Sequence, residues 1–189
     1  MNPRKENFRL LTFHGKLNPA KDDSEVKLRN DLYLIGSLTI NYSNVKKVNV
    51  RLIGYEVPLF DGISRGNCID LLGYDIDHNP YVIELKVDSS KEKLDKIVTQ
   101  INDYAGKFMY VRDGIEEELQ RKLHLPGFKL GNTIKKVILI PRDYYKHNPI
   151  DDYLESDILF CSISGLRNTS DILSKRISKD DVELVVYNK

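Results

Sequence analysis

Two acids and a lysine lie in neighbouring segments of the sequence, in a spacing that could hold a divalent cation. Asp70 lies in the run from Cys68 to Asp75, and Glu84 and Lys86 lie two residues apart in the run from Tyr81 to Val87. Carboxylate oxygens suit Mg²⁺ or Mn²⁺, and such a metal lowers the pKa of a bound water. A lysine beside that water could orient it and stabilise charge on an attacked phosphate. The pattern therefore predicts metal-assisted phosphate hydrolysis.

The two runs predict a β-hairpin that places these three side chains on one face. Both runs are rich in β-branched, aliphatic and aromatic residues, and turn formers occupy residues 77–80 between them. Side chains two apart along a strand share a face, so Glu84 and Lys86 point the same way. If the hairpin turns about His78, position 70 lies opposite position 86 and position 72 opposite position 84. Asp70 then joins the other two, whereas a one-residue slip would break the grouping.

The competing interpretation is an exposed hairpin with solvated cross-strand ion pairs, each contributing well under ~1 kcal/mol. The hairpin is nevertheless apolar on much of both faces. Its apolar residues are Ile69, Leu71 and Leu72 before the turn and Val82, Ile83 and Leu85 after it. We therefore expect both faces to be covered, and buried charges need partners or a metal.

Helices and strands are predicted on both sides of the hairpin. The order is a helix, three strands, a long helix and a strand, with additions at both ends, which indicates one α/β domain. Ser89 and Glu92 have the spacing of a capping box for the long helix. The predicted elements outside the hairpin are helices Ser24 to Ile35, Ser89 to Tyr110 and Glu116 to Leu123, and strands Val48 to Val57, Lys135 to Ile140, Asp157 to Ile163 and Val182 to Tyr187.

The composition indicates a soluble domain without a general affinity for polyanions. The chain has 189 residues, of which 41% are hydrophobic and 30% charged, and its formal net charge is +1. Cys68 and Cys161 match no metal-ligand spacing, so a zinc ribbon is not expected. No signal core or membrane-length apolar run occurs, so we expect a cytoplasmic protein without membrane association. Arg65, in a glycine-containing loop, is the basic residue expected to contact a nucleic-acid backbone.

Asp70, followed across a hairpin by Glu84-Leu85-Lys86, resembles the motif of the PD-(D/E)XK nuclease superfamily, which has the restriction-endonuclease-like fold. The run 69–75, Ile-Asp-Leu-Leu-Gly-Tyr-Asp, is similar to the hairpin of archaeal and bacterial endonucleases that act on branched or flapped DNA. The segment 100–104, Gln-Ile-Asn-Asp-Tyr, is similar to the Q-x-x-x-Y motif of bacterial recombination nucleases.

The resemblance implies an α/β fold with an αβββαβ core, in which a central mixed sheet is flanked by helices. The nuclease-like core would span residues 24–141. An N-terminal arm or peripheral strand would occupy residues 1–23, and a C-terminal extension at 142–189 would lie against the same domain.

The resemblance also implies roles for individual residues. Asp70 and Glu84 would be metal ligands, and Lys86 would orient the attacking water. Gln100 and Tyr104 would support the substrate.

A further acid of the family could be either of two residues, and both stay open. Glu25 lies on the apolar stripe of the first helix, where a carboxylate in the first turn also favours the helix dipole. Glu56 lies in the first predicted strand, where a surface ion pair is an equal alternative.

These features predict a Mg²⁺- or Mn²⁺-dependent deoxyribonuclease acting on branched or single-stranded DNA, with a homodimer as one expected assembly. RNA as the substrate is not excluded. The alternative is a catalytically silent module on the same fold that binds nucleic acid or another protein. The near-zero net charge favours the protein-binding version of that alternative.

Overall fold

The computed structural model describes residues 24–42, 46–59, 68–88, 90, 92–174, 177 and 182–187. Its helices and strands, in chain order, are α1 Ser24–Ile35, β1 Ser37–Asn41, β2 Lys47–Pro58, β3 Cys68–Tyr74, β4 Pro80–Leu85, α2 Leu94–Leu123, β5 Lys135–Leu139, α3 Arg142–Tyr145, β6 Ile158–Ile163, α4 Thr169–Ser174 and β7 Glu183–Val186, with a 3₁₀ turn at Asp151–Tyr153. The predictions for the N-terminal arm, Arg65 and Ser89 fall outside the described residues.

Seven strands form one closed barrel, in which each strand pairs with its neighbours in chain order and β7 pairs with β1. The pairings β4–β5, β5–β6 and β1–β7 are parallel, and the other four are antiparallel. The prediction of a restriction-endonuclease-like fold is therefore wrong, because that fold has an open central sheet flanked by helices. No strand is predicted at Ser37–Asn41 from the sequence, yet this segment pairs with β7 and closes the sheet.

Apolar side chains of the strands form two clusters. One contains residues of all seven strands together with Leu28 and Leu32 of α1, which lie one turn apart as the sequence predicts. The other contains residues of β2 to β6 and the apolar face of α2. Leu71 belongs to the first cluster and Leu72 to the second, so β3 is covered on both faces.

Helix α2 is one continuous helix of 30 residues rather than the two helices predicted. Val111, Ile115 and Leu119 are buried and extend its apolar face at spacings of three and four residues, so no break is needed. The predicted capping box is also wrong, because Lys93 is the N-cap and no side chain caps the helix there. In the part of the chain that the structure describes, no helix has both the length and the apolar run that crossing a membrane takes.

The β3–β4 hairpin forms as predicted, but its register differs by two residues. Leu71 pairs with Ile83 and Leu72 with Val82, whereas the prediction placed position 72 opposite position 84. A shift of two keeps every side chain on its predicted face, because the side-chain period of a strand is two. Continuing the observed register places Asp70 directly opposite Glu84.

The side chain of Asp75 explains the shifted turn. Its Oδ1 accepts hydrogen bonds from the backbone N–H groups of Asp77, at 3.0 Å, and Asn79, at 2.9 Å. An aspartate that bonds the backbone two residues ahead forms a local turn. This turn centres the hairpin on Asp77 instead of His78.

Substitution of Gly73 tests how closely β2 packs against the hairpin. An added Cβ would lie 2.6 Å from Val50 Cγ1 and 2.8 Å from the Arg51 carbonyl oxygen. We expect Gly73→Ala to lower the free energy of unfolding by about 1–3 kcal/mol, because backbone cannot move as a flexible side chain does. Urea denaturation measures this loss.

Gly114→Ala is the matched control for that substitution. Gly114 lies within α2, and an added Cβ there would meet nothing within 4 Å. Alanine should raise stability by roughly 0.5–1 kcal/mol at such a position. Equal effects of the two substitutions would contradict close packing at Gly73.

Candidate functional site

Three acids occupy facing positions on three adjacent strands. Tyr55 pairs with Leu71 and Val57 with Ile69, so Glu56 on β2 lies opposite Asp70 on β3. Asp70 in turn lies opposite Glu84 on β4. Neighbouring strands are about 4.8 Å apart, so in this acid row, Glu56, Asp70 and Glu84, the central Asp70 lies one strand spacing from each of the other two.

The backbone at Glu56 is strained. Its φ of +43° lies in the left-handed region, which side-chain-bearing residues rarely adopt. Such conformations cost of order 1–3 kcal/mol and cluster at functional sites. The strain therefore marks the β2 end of the acid row as a position where the backbone is held for a particular side-chain direction.

Arg29 of α1 joins two acids of the row. Its Nη2 lies 2.8 Å from Glu56 Oε1, and its Nη1 lies 3.7 Å from Asp70 Oδ1. Arg29 is 8% exposed, so its charge is mostly removed from water. Because like charges on facing positions of adjacent strands repel, this guanidinium stabilises the β2–β3 half of the acid row.

Lys86 occupies the other end of the acid row. Its Nζ lies 2.7 Å from Glu84 Oε1, 3.6 Å from Glu92 Oε2 and 3.9 Å from Glu25 Oε1. Burial by itself lowers the pKa of a lysine, but the attraction of Glu84, Glu25 and Asp70 outweighs burial and raises the pKa of Lys86. Lys86 is therefore a permanently charged ammonium at a place that is 8% exposed.

Glu84 is the most deeply buried acid of the row, at 2% exposure. Its Oε1 accepts a hydrogen bond from Lys86, while its buried Oε2 has no hydrogen-bond partner within the described ranges. Burial, followed by repulsion from Asp70, raises the pKa of Glu84 well above its ordinary value. An unpaired buried carboxylate oxygen is costly, and a cation or a donor at that oxygen would offset the cost.

Asp70 lies between the two halves of the cluster. Its Oδ2 accepts a hydrogen bond of 2.9 Å from the backbone N–H of Leu85, which orients the carboxylate along the strand pair. Burial raises the pKa of Asp70, while Lys86, this hydrogen bond and Arg29 act in the opposite direction. The carboxylates of Asp70 and Glu84 thus share too little positive charge to ionise at their ordinary pKa values.

Tyr104 and Gln100 of α2 face the same region. Gln100 Nε2 donates a hydrogen bond of 2.9 Å to the hydroxyl oxygen of Tyr104, which is 2% exposed. Burial, with the negative charges of Glu84 and Asp70, raises the pKa of Tyr104 to about 12. Tyr104 is thus within electrostatic range of the acid row, and Gln100 holds its hydroxyl in place.

The structure brings most of the predicted site residues together. Both candidates for the additional acid lie in the cluster, but in different places: Glu56 is a member of the acid row, and Glu25 of α1 lies beside Lys86. The two candidates therefore differ in position: one lies among the three acids of the row, and the other lies beside the lysine.

Two residues of the cluster are missing from the sequence prediction. Arg29 lies one helical turn after Glu25, a spacing that puts both on one face of α1 and that could have indicated it. Glu92 has the capping-box spacing, but its carboxylate instead lies near Lys86, at 3.6 Å, and Lys96, at 2.5 Å. Only the folded chain shows that this glutamate faces a buried lysine.

The carboxylate oxygens of the acid row are suitable ligands for a hard divalent cation, but the side chains are not arranged around one. Among the described residues, no group of three or more His, Cys, Asp or Glu side chains has an arrangement that could hold a metal ion. Arg29 and Lys86 already form ion pairs with Glu56 and Glu84. The carboxylate atoms are nevertheless all oxygens, which Mg²⁺ and Mn²⁺ prefer, and Glu84 Oε2 has no hydrogen-bond partner in the part of the chain that the structure describes.

Comparison of the chain with models of protein families, with curated proteins and with solved structures finds no significant match.

Proposed function

We propose that this chain is a nuclease that hydrolyses phosphodiester bonds in DNA with Mg²⁺ or Mn²⁺. One observation carries the proposal: Glu84 keeps a buried carboxylate oxygen that has no hydrogen-bond partner among the described residues, beside Lys86 and opposite Asp70. A purely structural ion pair gains nothing from leaving that oxygen without a partner. The likeness of this hairpin to the PD-(D/E)XK motif supports the proposal at the level of these residues, independently of the fold.

Asp70 and Glu84 would hold the ion, and Glu56 would join them where Arg29 releases it. The bound metal would lower the pKa of a water and offset charge on the phosphoryl oxygen. Lys86 would donate a hydrogen bond to that water or to the attacked phosphate, since its ammonium is held at the acid row by Glu84.

The reaction itself needs little more from the protein. The water oxygen would bond to phosphorus as the bond to the leaving sugar oxygen breaks. The water would lose a proton to solvent or to a carboxylate, and the leaving oxygen would take a proton from solvent. Lys86, a permanent cation, would stabilise negative charge on the phosphate without changing its own protonation state. Burial of Glu84 and Lys86 keeps water other than the attacking one from weakening these interactions.

A catalytically silent nucleic-acid-binding or protein-binding module is the second candidate. The observation in its favour is that Arg29 and Lys86 already neutralise the acid row by ion pairs of 2.8 Å and 2.7 Å. Such a row could be a structural network that needs no metal. A cytoplasmic location and a homodimer also stay predictions of the sequence.

Calorimetric titration with Mn²⁺ separates these two functions. We expect the wild-type chain to bind Mn²⁺ and Asp70→Asn to weaken that binding at least about tenfold, because the amide offers one neutral oxygen in place of a charged carboxylate. Asp113→Asn is the matched control, since its side chain is 84% exposed on α2. This control should bind Mn²⁺ as the wild type does.

Cleavage assays on single-stranded, duplex and branched DNA complete the test. We expect cleavage with Mg²⁺ or Mn²⁺ and none with EDTA. If the folded chain cuts none of these substrates, and its DNA binding changes neither with Mn²⁺ nor with Asp70→Asn, the silent module is supported and the nuclease is contradicted.

A further inference from the structure

A polar cavity of about 440 Å³ lies at the carboxyl ends of three adjacent parallel strands. Asp88 follows β4, the segment from Asp143 to Asn148 follows β5, and Asn168 with Ser170 follows β6. Loops at the carboxyl ends of neighbouring parallel strands are where mixed and parallel sheets commonly bind ligands. None of the cavity residues belongs to the acid row, so the cavity is a separate feature.

Hydrogen bonds join the three loops around the cavity. The Thr169 hydroxyl donates to Asp88 Oδ1, which connects the β4 loop with α4. The Asp143 N–H donates a bond of 2.8 Å to the Arg167 carbonyl, which connects the β5 and β6 loops. The cavity wall is therefore held before any ligand arrives, which reduces the entropy lost on binding.

The cavity is adjacent to the acid row. Tyr144, which lines the cavity, donates a hydrogen bond of 3.1 Å from its hydroxyl to the Glu92 carbonyl, and Glu92 Oε2 lies 3.6 Å from Lys86 Nζ. Asp88 is two residues beyond Lys86, a span of about 7 Å in extended chain. A nucleotide next to a phosphate at the acid row would therefore reach the cavity.

The side chains that line the cavity determine which kind of chemical group can bind there. Its polar side chains include two carboxylates, Asp88 and Asp143, and two amides, Asn148 and Asn168, and among the described residues no lysine or arginine lines it. Asp143 forms an ion pair of 2.5 Å with Lys146, whereas Asp88 accepts a hydrogen bond from the neutral Thr169 hydroxyl. A phosphate would therefore meet negative charge at Asp88. Carboxylate and amide oxygens instead accept hydrogen bonds from the amino groups of bases, and amide N–H groups donate to their ring nitrogens. The volume suits one small ring system with its sugar.

We propose that this cavity binds one unpaired nucleobase of the substrate strand. The inference rests on the proposed function and deepens it, because it makes single-stranded or locally unpaired DNA the substrate. A base inside a duplex would first have to leave the stack at a cost of a few kcal/mol. Duplex DNA without an unpaired base therefore binds more weakly.

A bulky substitution at the cavity rim tests the proposal without removing a bond of the fold. Ser170 is an exposed residue of α4 that lines the cavity, and Ser174, one turn later, is exposed and does not line it. The probe is a fluorescent single-stranded oligonucleotide in EDTA, which prevents cleavage. Ser170→Trp should weaken its binding about tenfold, and Ser174→Trp should change it by less than about twofold.

A second variant covers the case in which Ser170→Trp does not fold. Asn148→Leu keeps the side-chain volume and removes the amide, including the bond of 3.1 Å that its Nδ2 donates to the Tyr144 carbonyl, and it should weaken binding of the oligonucleotide roughly fivefold. Circular dichroism confirms that each variant is folded. The wild type should also bind the single strand about tenfold more tightly than a fully paired duplex of the same sequence.

The outcomes separate this inference from the proposed nuclease. If Ser170→Trp and Asn148→Leu both leave single-strand binding in EDTA unchanged, the base site is overturned, even if the wild type cleaves DNA with Mn²⁺. Equal affinity for single strand and duplex also overturns it. Binding that both variants weaken, in a chain that never cleaves DNA, supports the base site and overturns the nuclease.

Discussion

Glu84→Gln should reduce metal-dependent cleavage of DNA by at least about a thousandfold, since in the proposed nuclease it would remove a carboxylate ligand of the metal and the partner that positions Lys86. The amide keeps the shape of the side chain, so the hairpin should stay folded. Rates of cleavage with Mg²⁺ and Mn²⁺, at saturating metal, measure the loss. A variant that cleaves as fast as the wild type would remove Glu84 from the reaction.

The pH dependence of the free energy of unfolding provides a control, because it shows whether the substitution has removed the titration of Glu84. The folded-state pKa of Glu84 lies well above its ordinary value of 4.5. In the window above 4.5 the folded chain keeps a proton that the unfolded chain has lost, so this group lowers the free energy of unfolding as pH rises. Glu84→Gln removes that contribution. The variant should therefore gain stability relative to the wild type as the pH rises above about 4.5.

Lys86→Met should lower the free energy of unfolding by about 3–5 kcal/mol at neutral pH, because it leaves the buried Glu84 carboxylate without its cation. Lys86 Nζ also lies within 4 Å of Glu92 and Glu25, so the loss removes the shared partner of three acids. Urea denaturation without added metal measures the effect. Mn²⁺ should restore part of the stability if the ion binds the freed carboxylates.

Two further variants show whether the loss comes from buried charge. Lys96→Met removes an exposed lysine that pairs with Glu92 at 2.5 Å, and it should cost less than ~1 kcal/mol. The double variant Lys86→Met/Glu84→Gln should be more stable than Lys86→Met alone, because no buried charge is then unpaired. If Lys86→Met lowers the free energy of unfolding by no more than Lys96→Met does, the fold does not require a buried cation at this position.

Local sequence patterns predicted the parts of the site that lie close together in the chain. Alternating apolar residues and turn formers predicted the β3–β4 hairpin, and a two-residue error in its register left Asp70, Glu84 and Lys86 on one face. The apolar stripe of Leu28 and Leu32 likewise predicted α1. Such patterns are reliable because they report which residues share a face within one element.

Contacts between distant segments could not be predicted in this way. The guanidinium of Arg29 reaches Glu56 and Asp70 only because α1 lies against the strands, and Glu92 approaches Lys86 only because of how the chain leaves β4. Neither side chain differs, in sequence alone, from an ordinary charged residue of a helix or a loop. Their roles depend on burial, which the tertiary structure decides.

The sequence by itself thus determined the hairpin, the face that carries its two acids and lysine, and most of the helices and strands. The tertiary structure decided that the sheet closes into a barrel, through the parallel pairing of Thr39 with Glu183 and of Ile40 with Leu184. It also decided that Glu56 completes the acid row. The physical reason is the same for both: pairing between strands far apart in the chain depends on hydrogen bonds and packing that no local period encodes.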